Sequence, residues 1–214
     1  MKTPTYPSDD PRHPNYVPVT GCLATAAAIE NPYVAVNDNS KFVMNVGDVN
    51  AMAKGTGARA NGGKVRLDLI PLRILARTLA HDGMDGAAGS ATNALSNLGY
   101  FQETHDPVYL TAAISDLQDP LDPFNHWRDC ADVLDYGRKK YAEWNWLKGM
   151  PWSVCVGCAA RHLLDVIAVD NMTAPDHESG LSLRGHIMCN LLFLVQYTKT
   201  YPQGNDLPRK ELFE

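Results

Sequence analysis

Apolar residues recur at helical spacing through much of the second half of the chain, and this pattern predicts the main elements of the fold. Pro71 suits the first position of a helix, where its missing N–H would have no partner. Four apolar residues then share one helix face, namely Leu72, Leu75, Ala76 and Leu79. Further helices are predicted over about 107–118, 123–142, 152–170 and 180–200.

Two stretches lack a sustained helical period. Residues 1–60 are rich in Pro, Asn, Gly and Asp, which predicts an irregular N-terminal extension or arm. A helical turn over 25–29 and short strands over 33–36 and 42–46 are the only regular elements expected there. Residues 81–105 are rich in Gly, Asn and Ser and are predicted to be loop with one short helix at most.

The predicted fold class is therefore mainly α, a helix bundle with an irregular N-terminal extension. The expected domain organisation is an extension, a helical domain that carries an insertion, and a C-terminal tail. Their bounds are 1–60, 61–205 with an insertion at about 81–125, and 206–214.

Composition and charge narrow the class of protein. The 214 residues are 45% hydrophobic and 20% charged, as in globular proteins. A net charge of −5 gives no electrostatic reason to expect a nucleic-acid polymer or a membrane surface as partner. The chain contains no run of about 18 apolar residues, so no membrane span is expected. Five cysteines, an odd number, favour a reducing compartment. We therefore expect a cytoplasmic protein.

Two of these cysteines, Cys155 and Cys158, form a CxxC pair inside an apolar run. Such a pair is typical of redox chemistry or of half a zinc site, which His162 and Cys189 would complete. Buried free cysteine is also common in helix cores, and this interpretation is preferred here.

Three polar patches are candidates for chemistry. Lys64 and Arg66, with Asp68, lie just before a predicted helix start. Cations beside exposed helix N–H groups can bind phosphate. The same residues also suit a solvated connector.

The second patch mixes aromatic and cationic residues around Lys140, Tyr141, Asn145 and Trp146. Such a mixture can stack on a base and neutralise phosphates. It also fits a helix end, where lysines favour the negative pole and tryptophan packs on the core.

The third patch lies on the last two predicted helices. His162 and Asp165 share a face at i and i+3, as His186 and Asn190 do at i and i+4. The turn between the helices contains Asp176 and Glu178, and Arg161 lies beside His162. If the helices are antiparallel, these groups converge on a metal ion. Carboxylate oxygens favour Mg²⁺ or Mn²⁺ there.

The order of the polar blocks resembles the phage dATP/dGTP diphosphohydrolase (MazZ-like) N-terminal domain family, which is distantly similar to MazG-type all-α pyrophosphohydrolases. The resemblance covers roughly residues 62–80 and 126–198. The blocks that carry it are Gly63–Pro71, Leu134–Tyr141, Asn145-Trp146, Gly149, Arg161–Leu163, Asp176–Leu181 and His186–Leu194.

The resemblance implies a metal-dependent cleavage of purine deoxynucleoside triphosphates to monophosphate and pyrophosphate, in phage nucleotide-pool remodelling. Host cytoplasm is then the expected location, and the cofactor is Mg²⁺ or Mn²⁺. Expected metal ligands are Asp165, Asp176 and Glu178, with His162 or His186 as ligand or water-orienting base. Expected substrate-binding residues are Lys64, Arg66, Lys140 and Arg161 for phosphates, and Tyr141, Trp146, Asn145 and Asn190 for the base. A homodimer or larger oligomer is expected.

The chain departs from the family pattern in three places. About 45 residues, near 81–125, separate the first block from the second. Leu183 stands where relatives often have histidine, and Val169-Asp170 replaces a Gly-Glu pair. Glutamates are few in the matched blocks, so a metal site must depend more heavily on Asp and His.

Two other functions compete with this hypothesis. An HD-type phosphohydrolase needs an adjacent His-Asp pair, and His81-Asp82 and His105-Asp106 provide such pairs outside the polar blocks. A catalytically eroded protein would instead bind and sequester a nucleotide, or serve as a structural phage protein.

Overall fold

The computed structural model describes residues 46–122 and 124–213, which form a mainly α-helical bundle with no β-strand in these two ranges. The α-helices in these ranges are α1 Leu72–Leu79, α2 Gly86–Thr104, α3 Val108–Asp116, α4 Asn125–Lys140, α5 Trp152–Val169 and α6 Leu183–Thr200. Short 3₁₀ segments cover Leu67–Leu69, Asn145–Lys148, Pro202–Gly204 and Lys210–Leu212.

Helix α5 is central to the bundle, because it packs against both α6 and α2. Nine consecutive residues from its start, Trp152 to Ala160, are buried. A helix that is apolar on all sides must be covered on all sides. By length and composition α5 would also suit a membrane span. Within the bundle it is instead a largely buried core helix, which is compatible with a soluble protein.

Helix α6 is held between α5 and α4. Its first turn is tied to α4 by Asp129, whose Oδ2 accepts hydrogen bonds from Ser182 Oγ and Arg184 Nε, both at 2.8 Å. Gly185 allows the close approach, since a Cβ there would lie 2.5 Å from the Asp129 carbonyl oxygen. The sequence prediction of helices near 107–118, 123–142, 152–170 and 180–200 is confirmed by α3 to α6.

Helix α2 corrects the prediction that residues 81–105 are mostly loop. Its 19 residues form one continuous helix, whose buried face carries small residues such as Ala91 and Ala94 together with Leu95 and Leu98. Small side chains let α1 approach closely, and a Cβ at Gly99 would lie 2.4 Å from the Arg73 backbone nitrogen. Composition indicated a loop, whereas burial of this narrow face against α1 and α5 favours the helix.

Most predictions for the N-terminal region, including the helical turn and both strands, fall on residues 1–45, outside the described ranges. Val46 forms an isolated antiparallel bridge with Arg59. Gly57 donates its N–H to the Gly149 carbonyl at 2.8 Å, and Gly55 donates to Lys148 at 2.7 Å. The described part of the predicted extension is therefore hydrogen-bonded to the segment before α5.

Candidate functional site

The loop between α5 and α6 spans residues 170–182 and contains a tight turn over 176–180 that presents acidic side chains. Asp170 ends α5 in the left-handed conformation, and its Oδ1 accepts the Ala88 N–H of α2 at 2.8 Å. An isolated bridge pairs Pro175 with Ser182. Gly180, at φ 70°, closes the turn with a hydrogen bond to the Asp176 carbonyl at 2.7 Å. Asp170 therefore has a structural role, although it stands where relatives have a Gly-Glu pair.

Asp176 is the buried carboxylate of this turn, with 4% of its surface exposed. Its Oδ2 accepts hydrogen bonds from Glu178 N at 3.1 Å, Ser179 N at 2.9 Å and Ser179 Oγ at 3.0 Å. Burial alone would raise the pKa of Asp176, but these hydrogen bonds and the neighbouring imidazoles outweigh it and lower the pKa. The turn thus holds an ionised carboxylate at a fixed place.

The two helix-borne histidines meet at this carboxylate. The rings of His162 from α5 and His186 from α6 stack with their centroids 4.8 Å apart. His162 Nδ1 lies 3.8 Å from Asp176 Oδ1 and 3.6 Å from Asp165 Oδ2. His186 Nε2 lies 3.7 Å from Asp176 Oδ2. These four side chains are the histidine–carboxylate cluster.

Ser179 connects the cluster and was not among the predicted site residues. Its Oγ donates to Asp176 and lies 2.7 Å from His186 Nε2. A hydroxyl has one proton to donate, so His186 must donate through Nε2 to Ser179, which assigns the tautomer of the neutral ring. Burial and the adjacent His162 lower the pKa of His186 to about 4, which keeps the ring neutral. The sequence signal that could have identified Ser179 is its position three residues after Asp176, close to the start of a helix.

Glu178 points to two lysines from distant parts of the chain. Lys64 Nζ donates to Glu178 Oε2 at 3.0 Å, and Lys140 Nζ donates to Oε1 at 2.7 Å. Burial would raise the pKa of Glu178, but the hydrogen bond from Lys140 and the charge of Lys64 lower it to about 2. Lys140 also lies over the Tyr136 ring at 4.3 Å. We call Lys64, Glu178 and Lys140 the lysine–glutamate cluster.

The two predicted phosphate-binding arginines already have protein partners. Arg66 forms a bidentate pair with the buried Asp68, at 2.6 to 3.1 Å. Arg161 donates to the Val65 carbonyl at 2.7 Å and to Asn61 Oδ1 at 3.2 Å. Arg161 therefore holds the 61–65 segment along α5, whereas Arg66 pairs with a carboxylate of its own segment.

The predicted base-binding side chains also have internal partners in the structure. Trp146 stacks on Phe193 with centroids 4.8 Å apart. The Tyr141 hydroxyl accepts the Ala60 N–H at 3.2 Å. The Asn145 amide, 4% exposed, is paired with both backbone groups of Ala58.

Asn190 is the fourth side chain predicted to bind the base, and it is completely buried. Its Nδ2 donates to the His186 carbonyl at 2.7 Å, and its Oδ1 has no partner among the described residues. The side chain is therefore on the inner face of α6, one turn after His186.

A divalent cation needs several donor atoms within bonding distance of one point. Among the described residues, no three or more His, Cys, Asp or Glu side chains are arranged as a ready-made metal site. His162 Nδ1 is buried and without a hydrogen bond, and it faces the carboxylates of Asp165 and Asp176. These donors fit Mg²⁺ or Mn²⁺ in chemical type. To bind an ion together, the carboxylate and imidazole donor atoms must move closer to one another. Glu178 is instead held by its two lysines.

The competing motifs lie elsewhere in the structure. His81 and Asp82 are exposed in the turn before α2. His105 ends α2, and its Nε2 lies 3.0 Å from the Pro208 carbonyl. Cys155 and Cys158 are buried, free thiols of α5, as the preferred interpretation of the CxxC pair expects. Burial raises the pKa of Cys155, which disfavours its reactive thiolate.

The comparisons with known proteins agree with the resemblance seen in the sequence. Residues 113–207 match the family model described as dATP/dGTP diphosphohydrolase, N-terminal. This range contains every block of the resemblance except Gly63–Pro71, and it begins inside α3, within the predicted insertion. No curated protein and no solved structure was found to match the chain. The match supports the predicted family over residues 113–207, which contain the histidine–carboxylate cluster.

Proposed function

We propose that this chain is a metal-dependent diphosphohydrolase that cleaves purine deoxynucleoside triphosphates to the monophosphate and pyrophosphate. The observation that carries the proposal is the convergence of His162 and His186, from two helices, on the buried Asp176. Each of these polar groups is costly to bury. The family match covers all three residues, and the family's description names a dATP/dGTP diphosphohydrolase.

The lysine–glutamate cluster is the proposed phosphate site. Among the described residues, the Glu178 carboxylate pairs with both Lys64 and Lys140. A triphosphate carries more negative charge than Glu178 and presents several oxygens, so it competes effectively for both ammonium groups. Lys140 is 11% exposed, and its interaction with a phosphate is therefore weakly screened by water.

The histidine–carboxylate cluster is the proposed place of proton transfer. Hydrolysis adds water across the α–β phosphoanhydride, so the attacking water must give up a proton. His162 Nδ1 is buried, has no hydrogen bond and faces two carboxylates, and it is the proposed acceptor of that proton. His186 is kept neutral and positions His162 by stacking on it.

Asp165 and Asp176 are the proposed ligands of Mg²⁺ or Mn²⁺, which when bound supplies charge neutralisation at the phosphate oxygens. This assignment is testable without turnover. Mn²⁺ binding measured by electron paramagnetic resonance should weaken at least tenfold in Asp176→Asn. The control is Asp135→Asn, whose carboxylate is in an exposed pair with Arg138. Equal Mn²⁺ affinity in both variants would reject Asp176 as a ligand.

A product assay tests the reaction itself. The full chain is incubated with each common nucleoside triphosphate and with Mg²⁺ or Mn²⁺, and products are separated by anion-exchange chromatography. The expected products are a purine deoxynucleoside monophosphate and pyrophosphate. Release of triphosphate or orthophosphate would support the HD-type alternative and contradict the proposal.

A nucleotide-sequestering protein is the second candidate. The observation that favours it is the lack of a ready-made metal site among the described residues. Saturable nucleotide binding with no product after prolonged incubation with either metal would select it.

The biological setting is proposed from the same resemblance. We expect a protein of the cytoplasm, in the host if it is phage-encoded, that remodels the purine nucleotide pool. We also expect a homodimer or larger oligomer, because large apolar side chains such as Leu69 and Ile74 are 72% and 56% exposed. Sedimentation equilibrium of the full chain tests this, and a monomer at micromolar concentration would contradict it.

A further inference from the structure

A cavity of about 390 Å³ lies beside the start of α5, separate from the histidine–carboxylate cluster. Polar side chains on its walls are Asn61, Lys64, Arg66, Ser153 and Asp206, and the rest of the lining includes apolar residues such as Val154. Mixed walls with a few fixed polar groups are typical of small-molecule sites of this size.

The cavity is joined to the proposed phosphate site through Lys64. This residue lines the cavity, and its Nζ donates to Glu178 at 3.0 Å. The 61–66 segment is held along α5 by Arg161, which binds Asn61 and Val65. From Val154 to His162, α5 advances about 12 Å at about 1.5 Å per residue. A nucleotide whose base occupied the cavity could therefore place its phosphates beside Lys64, on the side of the proposed phosphate site.

Asp206 provides a fixed acceptor on the cavity wall. Its Oδ1 accepts the Ser153 N–H at 2.8 Å, and its Oδ2 accepts the Ser153 hydroxyl at 2.6 Å. These bonds orient the carboxylate, and each oxygen retains a further lone pair. Because a carboxylate only accepts hydrogen bonds, it selects for a ligand edge that presents donors.

Guanine and adenine present different hydrogen-bonding groups to a carboxylate. The Watson–Crick edge of guanine presents two adjacent donors, N1–H and the 2-amino group. Adenine presents an acceptor at N1, which a carboxylate repels. A carboxylate facing this edge therefore favours guanine.

The other candidate binding groups for a purine base are already occupied by protein partners among the described residues. The aromatic side chains expected to stack on it, Trp146 and Tyr141, are engaged with Phe193 and Ala60. The amide of Asn145 is occupied by Ala58. The cavity is instead open, and it adjoins a cation of the phosphate site.

We propose that this cavity holds the base of the purine nucleotide and that Asp206 selects guanine over adenine. The inference rests on the proposed function for its substrate class. It concerns binding, however, and so it can be tested whether or not the chain turns a nucleotide over.

The test compares kcat/KM for dGTP, dATP and dITP in the wild type and in Asp206→Asn. Asparagine keeps an acceptor for the Ser153 N–H, so the start of α5 stays capped. The wild type should prefer dGTP to dATP by about tenfold or more, and dITP, which lacks the 2-amino group, should be intermediate. Asp206→Asn should lose the preference mainly through a slower reaction with dGTP.

Two matched variants separate specificity from structure. Asp106→Asn alters another exposed carboxylate at a helix start, where Asp106 accepts the Val108 N–H at 2.9 Å, and should keep the dGTP preference. Ser153→Ala removes one hydrogen bond to Asp206 but leaves the Asp206 carboxylate in place, so this variant should also keep the preference for dGTP. An equal effect of Asp206→Asn on dGTP and dATP, or no effect, would overturn the assignment.

Binding of dGMP and dAMP, measured by isothermal titration calorimetry, separates this inference from the proposed reaction. If the wild type hydrolyses no nucleotide but binds dGMP more tightly, and Asp206→Asn abolishes the difference, the reaction fails and the base site stands. If the wild type hydrolyses dGTP and dATP without preference and binds dGMP and dAMP equally, the reaction stands and the base site is rejected.

Discussion

At the scale of single residues, the candidate site depends on side chains whose charge is set by burial and by close partners. Asp176 is kept ionised by hydrogen bonds from Ser179. His186 is kept neutral, because burial and His162 lower its pKa to about 4. An ionised acid beside a neutral imidazole is a typical arrangement for moving protons near neutral pH.

The neutral state of His186 makes stability depend on pH. Its pKa is about 4 in the folded protein and about 6.5 in the unfolded chain. Between these values the unfolded chain binds more protons, so the free energy of unfolding falls as pH decreases from about 6.5 to about 4. Urea denaturation should show a loss of about 1–2 kcal/mol from this group between about pH 7 and about pH 5.

Substitution identifies the group responsible. The variant His186→Gln should lose less stability over this pH interval than the wild type, because it lacks the titrating ring. His177→Gln, in the same turn and with 83% of its side chain exposed, should behave like the wild type. A loss in His186→Gln as large as in the wild type would assign the pH dependence to other groups.

The lysine–glutamate cluster predicts a separate effect on substrate binding. In Lys140→Met the triphosphate loses a nearly buried charge-assisted hydrogen bond, and KM for dGTP should rise about tenfold or more. Lys139→Met is the control, because Lys139 is 63% exposed and pairs only with Asp135 among the described residues. Similar KM values for the two variants would show that Lys140 does not contact the substrate.

At the scale of elements, the site requires α6 to lie close to both α4 and α5. The turn after α5 fixes Asp176, while α6 carries His186. Gly185 precedes His186 and lies against the backbone of α4. The position of the histidine is therefore linked to the packing of two helices.

The variant Gly185→Ala tests this packing. The added Cβ would lie 2.5 Å from the Asp129 carbonyl oxygen and 3.0 Å from Val133, so the helices must separate. We expect a loss of about 1–3 kcal/mol in the free energy of unfolding. Gly137→Ala in α4 meets nothing within 4 Å, and it should be neutral or slightly stabilising. Equal thermal midpoints for the two variants would contradict the close α4–α6 contact.

The sequence predicted some of these elements well and others poorly. Helices α5 and α6 have long apolar faces, so their period indicated both the helices and the meeting of His162 with His186. Helix α2 was missed, because small residues such as Ala91, Ala94 and Gly99 share its buried face with the leucines, and only tertiary packing makes that face a core surface. The pairing of Trp146 with Phe193 joins residues far apart in the chain, and no local pattern predicts such a contact.

At the scale of the whole molecule, the chain has a net charge of −5 but contains a local cluster of cationic side chains. Lys64 and Arg66 lie in the segment that Arg161 of α5 binds, and Glu178 pairs with both Lys64 and Lys140. These residues come from segments that are remote in sequence. The fold therefore brings together the cations of the proposed phosphate site, which composition alone does not indicate.

The rate of pyrophosphate release from dGTP with Mn²⁺ is the most direct measurement of the central claim. We predict that the wild type releases pyrophosphate and that Asp176→Asn loses at least about a hundredfold in kcat, because the carboxylate that faces both imidazoles and is the proposed cation ligand is neutralised. Asp135→Asn should match the wild type, and circular dichroism should show that all three proteins are folded. Pyrophosphate release by Asp176→Asn at the wild-type rate would contradict the account.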